Sequence, residues 1–314
     1  MENKRNPTIY RFLTLALYFG DACFTPFFSL YFASQPGLST LEVAILLALV
    51  PFSFFAGNIF YSIFETSWKR NVFLIRLISI LEAVFLIALA YSRSFFLLLP
   101  TTILAAFHNS CMFGLIDGMG AGSAKRRNIP FSLIRIMGSI GYITASIFAF
   151  FFMDKIGYTW MFTISATIIF LCFPISFLLV PFKGDEFVKR VELTEAFNVE
   201  KKPFFKNLNL WLFLIFSALY YGGLNNYNYI VPIFMEQQGL TPGQTAIWTV
   251  VRVSVEMVIM LLLPFFTKLF KGNKNTLITA CAFGLMALLF NAVLSNFQAI
   301  LWLTFISRGL GYGF

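Results

Sequence analysis

The sequence predicts an all-α membrane protein, a bundle of apolar helices, on three observations. Hydrophobic residues make up 59% of the 314, with 42 Phe and only 12% charged residues, and mean hydropathy is +0.79. That composition cannot supply the polar surface a water-soluble globule needs. Apolar runs long enough to cross a hydrocarbon core of about 30 Å, which takes about 20 helical residues, recur along the whole chain. Those runs are too long, and too rich in Phe, Leu and Ile, to be the alternating strands of a membrane barrel.

In order, the runs are 10–33, 41–64, 71–92, 95–121, 132–153 and 159–182, then 209–235, 243–267 and 275–294, with a tenth that begins near 297 and is cut off by the chain end. The first exceeds a signal-peptide core and has no small-x-small cleavage site behind it, so it is expected to remain as a spanning helix. Between the sixth and seventh runs lies the longest polar segment, "KGDEFVKRVELTEAFNVEKKPFFKN" at 183–207. It reads as a cytoplasmic linker. The expected organisation is a bundle of six helices at 1–182, a linker at 183–208 and an incomplete second bundle at 209–314.

Orientation follows from the basic residues. With the N-terminus in the cytoplasm, 17 of the 23 Lys and Arg fall on the cytoplasmic side, in clusters such as Lys125, Arg126 and Arg127. Only Arg93 and Lys155 fall outside. The net charge of +9 is thereby accounted for by topology and anionic headgroups, and nucleic acid is not an expected partner. The expected location is the cell membrane, crossed many times.

The four cysteines, Cys23, Cys111, Cys172 and Cys281, all sit in apolar runs without paired spacing and read as packing residues. With His108 the single histidine, no metal site of the usual kind can be assembled. No cofactor is expected. "GMGAGS" at 118–123 lacks the strand before it and the Gly-Lys-Ser/Thr ending of a phosphate loop; glycine at a helix exit is the reading. Without a nucleophile or metal constellation, an enzyme is not expected.

The charges inside the runs carry the functional signal, because an ionisable group at a helix centre costs about 2.5–3.5 kcal/mol on insertion scales and usually faces a pathway or a partner. Asp117 and Arg135 are each nine residues from Arg126, in a stretch whose turn is expected at 122–130. Equal counts from the apex place them at equal depth across a hairpin, able to pair, with Tyr142 two turns beyond Arg135 on its face. Asp21 lies halfway along the first run and is expected to line a cavity, with Phe24 and Phe28 in its register. Arg252 and Glu256 are four apart and can neutralise each other. Glu82 has no obvious partner, Arg76 is expected to snorkel, and His108 reads as a packed polar residue. "YYGGLNNYNY" at 220–229 places amides, Asn226 among them, in the middle of the seventh run, where they can bind hydroxylated solutes or join helices.

An internal repeat completes the picture. At an offset of 202, "LYFG" at 17–20 aligns with "LYYG" at 219–222, and "QPGLSTLEVAI" at 35–45 with "QQGLTPGQTAI" at 237–247. Six spans repeated as six is a secondary-transporter pattern.

With that repeat and central linker, the chain resembles the major facilitator superfamily. Three segments, "YFGDACFTPFFSLYF" at 18–32, the stretch through "RIMGSIGY" at 135–142 and "RVSVEMVIMLLLPFFTKLFKGNKN" at 252–275, are similar to its lactose permease and phenylpropionate permease-like branch. The resemblance implies a bundle of two six-helix repeats, here with nine complete spans and part of a tenth. It also implies that Asp117 and Arg135 hold a substrate with Tyr142 stacking on it, and that Glu256 stands at an acidic position of the eighth helix. Departures are clear: the loop motif is reduced to "GNIFYSIFETSWKRN" at 57–71, the ninth helix has no arginine, and Arg308 stands about where a histidine is usual.

The function expected is alternating-access secondary transport of a small organic solute, a sugar or an aromatic acid, coupled to protons. Asp117, Arg135, Tyr142 and Asn226 are the candidate substrate residues, and Asp21 and Glu256 the proton-coupling candidates. The alternative is a transport-inactive relative acting as a sensor or assembly partner. By the repeat offset a twelfth helix would end near residue 384, so the chain is expected to be truncated at its C-terminus.

Overall fold

The apolar runs become helices, and no strand occurs among the described residues, which in this computed structural model are 6–64, 67–181, 208–270, 272–294 and 298–313. In chain order they are α1 (Asn6–Ala22), a 3-10 turn (Thr25–Phe27), α2 (Phe28–Ala33), α3 (Thr40–Ser62), α4 (Trp68–Tyr91), α5 (Phe95–Arg126), α6 (Ser132–Phe170), α7 (Cys172–Ser176), α8 (Leu208–Gln237), α9 (Pro242–Leu269), α10 (Asn273–Leu294) and α11 (Gln298–Gly313). Residues 183–207 of the expected linker lie outside the described residues.

Six elements among the described residues are long and apolar enough to cross a membrane, from Asn6–Ala33 to Pro242–Leu262. The expected nine complete spans are not established by this count. The runs at 132–153 and 159–182 form two helical stretches within Ser132–Ser176 that meet at a kink in α6, where Gly157 leaves the helical region at φ 73°. The window in the first span is 83% buried and the one in α3 only 22%, which puts α1 at the bundle centre and α3 on its rim. The outer face of α3 presents Leu41, Phe52, Phe55 and Ile59, apolar surface suited to lipid.

Close helix contact depends on small residues, as it does where lipid removes the hydrophobic drive between helices. A Cβ at Gly141 of α6 would lie 2.7 Å from the Leu15 carbonyl oxygen of α1, and one at Gly57 of α3 would lie 2.1 Å from the Phe107 carbonyl oxygen of α5. The first span breaks after Ala22. Pro26 has no N–H to continue the ladder, and the chain passes through the 3-10 turn before α2 resumes.

The sequence repeat is a structural repeat at its second segment. Gly37 and Gly239 have φ of 88° and 89°. Two residues after each, Ser39 and Thr241 cap α3 and α9 in capping boxes closed by Glu42 and Gln244. In each box the cap hydroxyl accepts from the backbone N–H of Glu42 or Gln244, whose side chain accepts from the cap residue's N–H in return.

The second cap has an extra partner. Asp154 of α6 accepts from Thr241 Oγ1 and, at 2.8 Å, from the Gly243 N–H; a Cβ at Gly243 would meet Asp154 Oδ2 at 2.9 Å. Asp154 thus joins a helix before the 182–207 stretch to one after it, and its charge suits the positive end of α9. Asp154→Ala is expected to cost about 1 kcal/mol, the usual value of a lost cap. Asp154→Asn, which keeps an acceptor, should cost less than half of that. Thermal unfolding in detergent distinguishes the two.

The turn between α5 and α6 is shorter than the expected 122–130. Helix α5 runs on to Arg126, and the reversal occupies residues 127–131, with Asn128 at φ 53°. The "GMGAGS" glycines therefore lie within the helix and not at its exit. Lys125 and Arg126 close the last turn of α5, where cations complement the helix dipole.

Candidate functional site

Asp117 of α5 and Arg135 of α6 meet across the hairpin, Arg135 Nε to Asp117 Oδ2 at 3.5 Å, with side chains 25% and 26% exposed. They are not equally far along their helices from the turn. Asp117 is nine residues from the end of α5, and Arg135 only three from the start of α6. The long arginine side chain makes up the difference. Tyr18 of α1 completes the group: its hydroxyl donates to Asp117 Oδ2 at 3.3 Å, and the Arg135 guanidinium carbon lies 4.4 Å from its ring centroid. Such a cation on an aromatic face is worth about 0.5–2 kcal/mol. Gly138 gives the guanidinium its room, since a Cβ there would come within 2.6 Å of Arg135 Nη1 and 3.0 Å of the Tyr18 ring. The other oxygen of Asp117, Oδ1, is buried without a hydrogen-bond partner among the described residues. It is an acceptor held beside a cation and an aromatic ring.

Asp21 sits at the end of α1, where the helix breaks, and is 5% exposed. Oδ1 accepts from Thr25 Oγ1 at 2.8 Å and from Asn109 Nδ2 at 3.3 Å, and Oδ2 accepts from the Tyr142 hydroxyl. The unwound turn brings Thr25 within reach. Tyr142 therefore commits its hydroxyl to Asp21, while its ring meets Tyr18 edge-on, centroids 6.1 Å apart. Tyr142 packs against both large apolar clusters of the bundle. Aromatic contact and hydrogen bonds thus link Asp21 to Asp117 and Arg135 through Tyr142 and Tyr18.

Arg252 and Glu256 pair at 3.6 Å on α9. Arg252 and the buried Arg308 of α11 lie on the Trp248 ring at 5.3 and 5.7 Å, and Arg308 donates to Asn228 at 2.8 Å. The side chain of Asn226 lies outside the described residues.

Several expectations are corrected. Phe24 and Phe28 are fully buried against Phe162, core residues and not cavity lining. Arg76 has partners within the bundle: it donates to Ser176 at 3.0 Å and covers the Phe177 ring at 3.8 Å. Glu82 has a partner, Asn109 Nδ2 at 2.7 Å. His108 is packed as expected, its Nδ1 2.7 Å from the Tyr61 hydroxyl and its ring stacked on Phe85.

Tyr18, Thr25, Asn109 and Gly138 were not legible as site residues. Tyr18 had one signal, its place in the repeat opposite Tyr220, but the two tyrosines do different work. Tyr220 donates to the carbonyls of Ala280 and Gly311, both at 3.0 Å, joining α10 to α11.

A family model described as the Major Facilitator Superfamily matches residues 12–314. No curated protein matches the chain significantly. Among solved structures, the nucleoside transporter NupG, as a single-residue mutant, superposes with a TM-score of 0.80 at 16% identity, covering 98% of this chain and 80% of that one. The xylose transporter XylE from E. coli, in a partially occluded inward-open conformation, gives 0.67 at 11%, covering 98% and 81%. A D-xylose-proton symporter gives 0.62 at 11%, covering 99% and 80%.

Proposed function

Because the chain belongs to the Major Facilitator Superfamily, we propose that it is a secondary active transporter, moving a small organic solute across the cell membrane by alternating access with a proton. Two bundles, 1–182 and 209–314, joined by a linker at 183–208 and with the N-terminus in the cytoplasm, rock about a site to which both contribute. The observation that supports this best is the link from Asp21 to the Asp117–Arg135 pair through two tyrosines. A proton site and a solute site that share Tyr142 can sense each other's occupancy, which is what coupling requires.

The solute is a sugar or aromatic acid, a ring bearing hydroxyl or carboxyl groups. Asp117 Oδ1 accepts a solute hydroxyl, the Arg135 guanidinium donates to hydroxyl or carboxylate, and the Tyr18 and Tyr142 rings supply apolar faces. Asn226 joins from the second bundle. A nucleoside transporter and a xylose–proton symporter share the fold, which agrees with ring-bearing solutes without selecting one.

Asp21 exchanges the coupling proton. When it is protonated it has no need of the Tyr142 hydroxyl, and the freed Tyr142 shifts against Tyr18 and the solute. Glu256, held by Arg252, is the alternative carrier. Proteoliposomes tested with labelled uridine, xylose and phenylpropionate decide the matter. An acidic exterior should drive accumulation of at least one probe. Asp21→Asn should lose that accumulation, at least tenfold, while keeping probe exchange across the membrane. Wild-type accumulation in Asp21→Asn moves the proton to Glu256, and no flux of any kind in wild-type vesicles supports the transport-inactive reading.

A further inference from the structure

Among the described residues, Glu82 is the one buried acid to which the proposed mechanism gives no task. It lies near the middle of α4, 0% exposed, where a lone carboxylate is expensive to keep. Asn109 of α5 uses a single amide nitrogen for two acids, donating to Glu82 Oε1 at 2.7 Å and to Asp21 Oδ1 at 3.3 Å. The two hydrogens of that amide suffice for one carboxyl each.

Among the described residues no cation pairs with either carboxyl; from the facing helix α9, Arg252 acts on the Tyr142 hydroxyl rather than on either of them. Asp21 faces Thr25 after α1, Tyr142 of α6 and Tyr229 of α8, with Cys23 close by. Glu82 faces Asn109 of α5 and Cys172 of α7. Among the described residues, no lysine, arginine or histidine reaches either carboxyl. The nearest cation along α4, Arg76, is engaged with Ser176 and Phe177. Two carboxyl groups enclosed together without a cation cannot both ionise cheaply, and such pairs share a proton.

The donors are divided unequally. Asp21 accepts from three, Thr25, Asn109 and Tyr142, a shell that suits a charged carboxylate. Glu82 accepts from one, and its Oε2 is buried with no hydrogen-bond partner among the described residues. An unsolvated carboxylate oxygen is costly; a neutral acid there costs far less.

We propose that Glu82 is the resting seat of the transporter's proton, held there by the neighbouring charge of Asp21. The inference rests on Asp21 acting in proton coupling and adds a second carboxyl to that site. In the arrangement described, Glu82 is a neutral acid and Asp21 an anion. When Tyr142 leaves Asp21 on solute movement, the anion loses a donor and the proton passes from Glu82 to Asp21. One O–H bond breaks and one forms, and the pair keeps a single negative charge throughout. Asn109 holds both groups in place and is a positioning residue.

The test reads the proton itself. A neutral carboxylic acid has an infrared carbonyl stretch well separated from that of a carboxylate, and it can be recorded on the purified protein in lipid at neutral pH without any solute. The wild type should show such a band. Glu82→Gln, which keeps the acceptor facing Asn109, should lose it, and Asp21→Asn should retain it, because the buried Oε2 without a donor still disfavours the Glu82 anion after the Asp21 charge is gone. An unchanged band in Glu82→Gln overturns the proposal. Should Glu82→Gln fail to fold, Asn109→Ser replaces it: with one hydroxyl in place of the shared amide, the Glu82 band should shift in frequency, and an unshifted band overturns the proposal. Proton-driven uptake is measured separately in Asp21→Asn. Retained accumulation there refutes the coupling role of Asp21, whereas lost accumulation with an infrared band insensitive to Glu82→Gln refutes only the role of Glu82.

Discussion

Asp117→Asn and Arg135→Gln should each weaken solute binding by about 30- to 150-fold. Removing one member of a hydrogen-bonded charge pair costs about 2–5 kcal/mol when the pair is fully desolvated. Both side chains here are about a quarter exposed, so solvent screening places the effect at the lower end, about 2–3 kcal/mol, and each 1.4 kcal/mol is tenfold. The readout is the rise in melting temperature that a bound solute produces, measured with uridine, xylose and phenylpropionate. Melting without solute reports stability alone. Each single variant leaves one charge unpaired, so some loss of stability is expected from both. The double variant restores neutrality and most of that stability. If the pair only clamps α5 to α6, the double variant will also regain binding. If the pair holds solute, the double variant will be stable and still not bind.

Gly57→Val should be the most damaging substitution for folding among the glycines of the first four spans. The Cβ it adds would lie 2.1 Å from the Phe107 carbonyl oxygen and 2.8 Å from Ser110 Oγ. The nearest obstacle is helix backbone, which cannot rotate aside, so α3 and α5 must separate. Overpacking usually costs about 1–3 kcal/mol, and a clash with backbone belongs at or beyond the upper end of that range. Gly114 of the same helix α5 is the control. Nothing lies within 4 Å of its Cβ position, so Gly114→Ala should be neutral or stabilising by about 0.5–1 kcal/mol through helix propensity. Equal melting temperatures for the two variants would mean that α3 and α5 are not packed through Gly57.

The site was half legible. The Asp117–Arg135 pair could be read because a short hairpin imposes its own geometry: residues flanking one turn must approach, whatever the rest of the chain does. The Arg252–Glu256 pair followed from helical spacing alone. Asp21 was recognisable as a buried acid, but its donors come from residue 25 beyond a helix break, residue 109 on α5 and residue 142 on α6. No local rule connects those positions. The partners of Tyr142 and Glu82, Asp21 and Asn109, were hidden for the same reason.

Composition, hydropathy and the 202-residue repeat by themselves determined that this is a helical membrane bundle, and they placed its helices and the repeated segment in which the structure finds the two Gly-Ser/Thr caps. Those features depend on short-range physics: the period of a helix, the thickness of a bilayer, and the need of each helix end for a donor or acceptor. Tertiary structure alone decided that α1 is central and α3 peripheral, that Asp154 reaches the cap of α9, and that one amide serves both Glu82 and Asp21. Those outcomes turn on how closely helices approach and how they are rotated, which small residues such as Gly57, Gly138 and Gly141 permit only in combination with the partner helix. A buried polar group takes whichever partner that approach brings within 3 Å or so, so its role becomes visible once the helices are assembled.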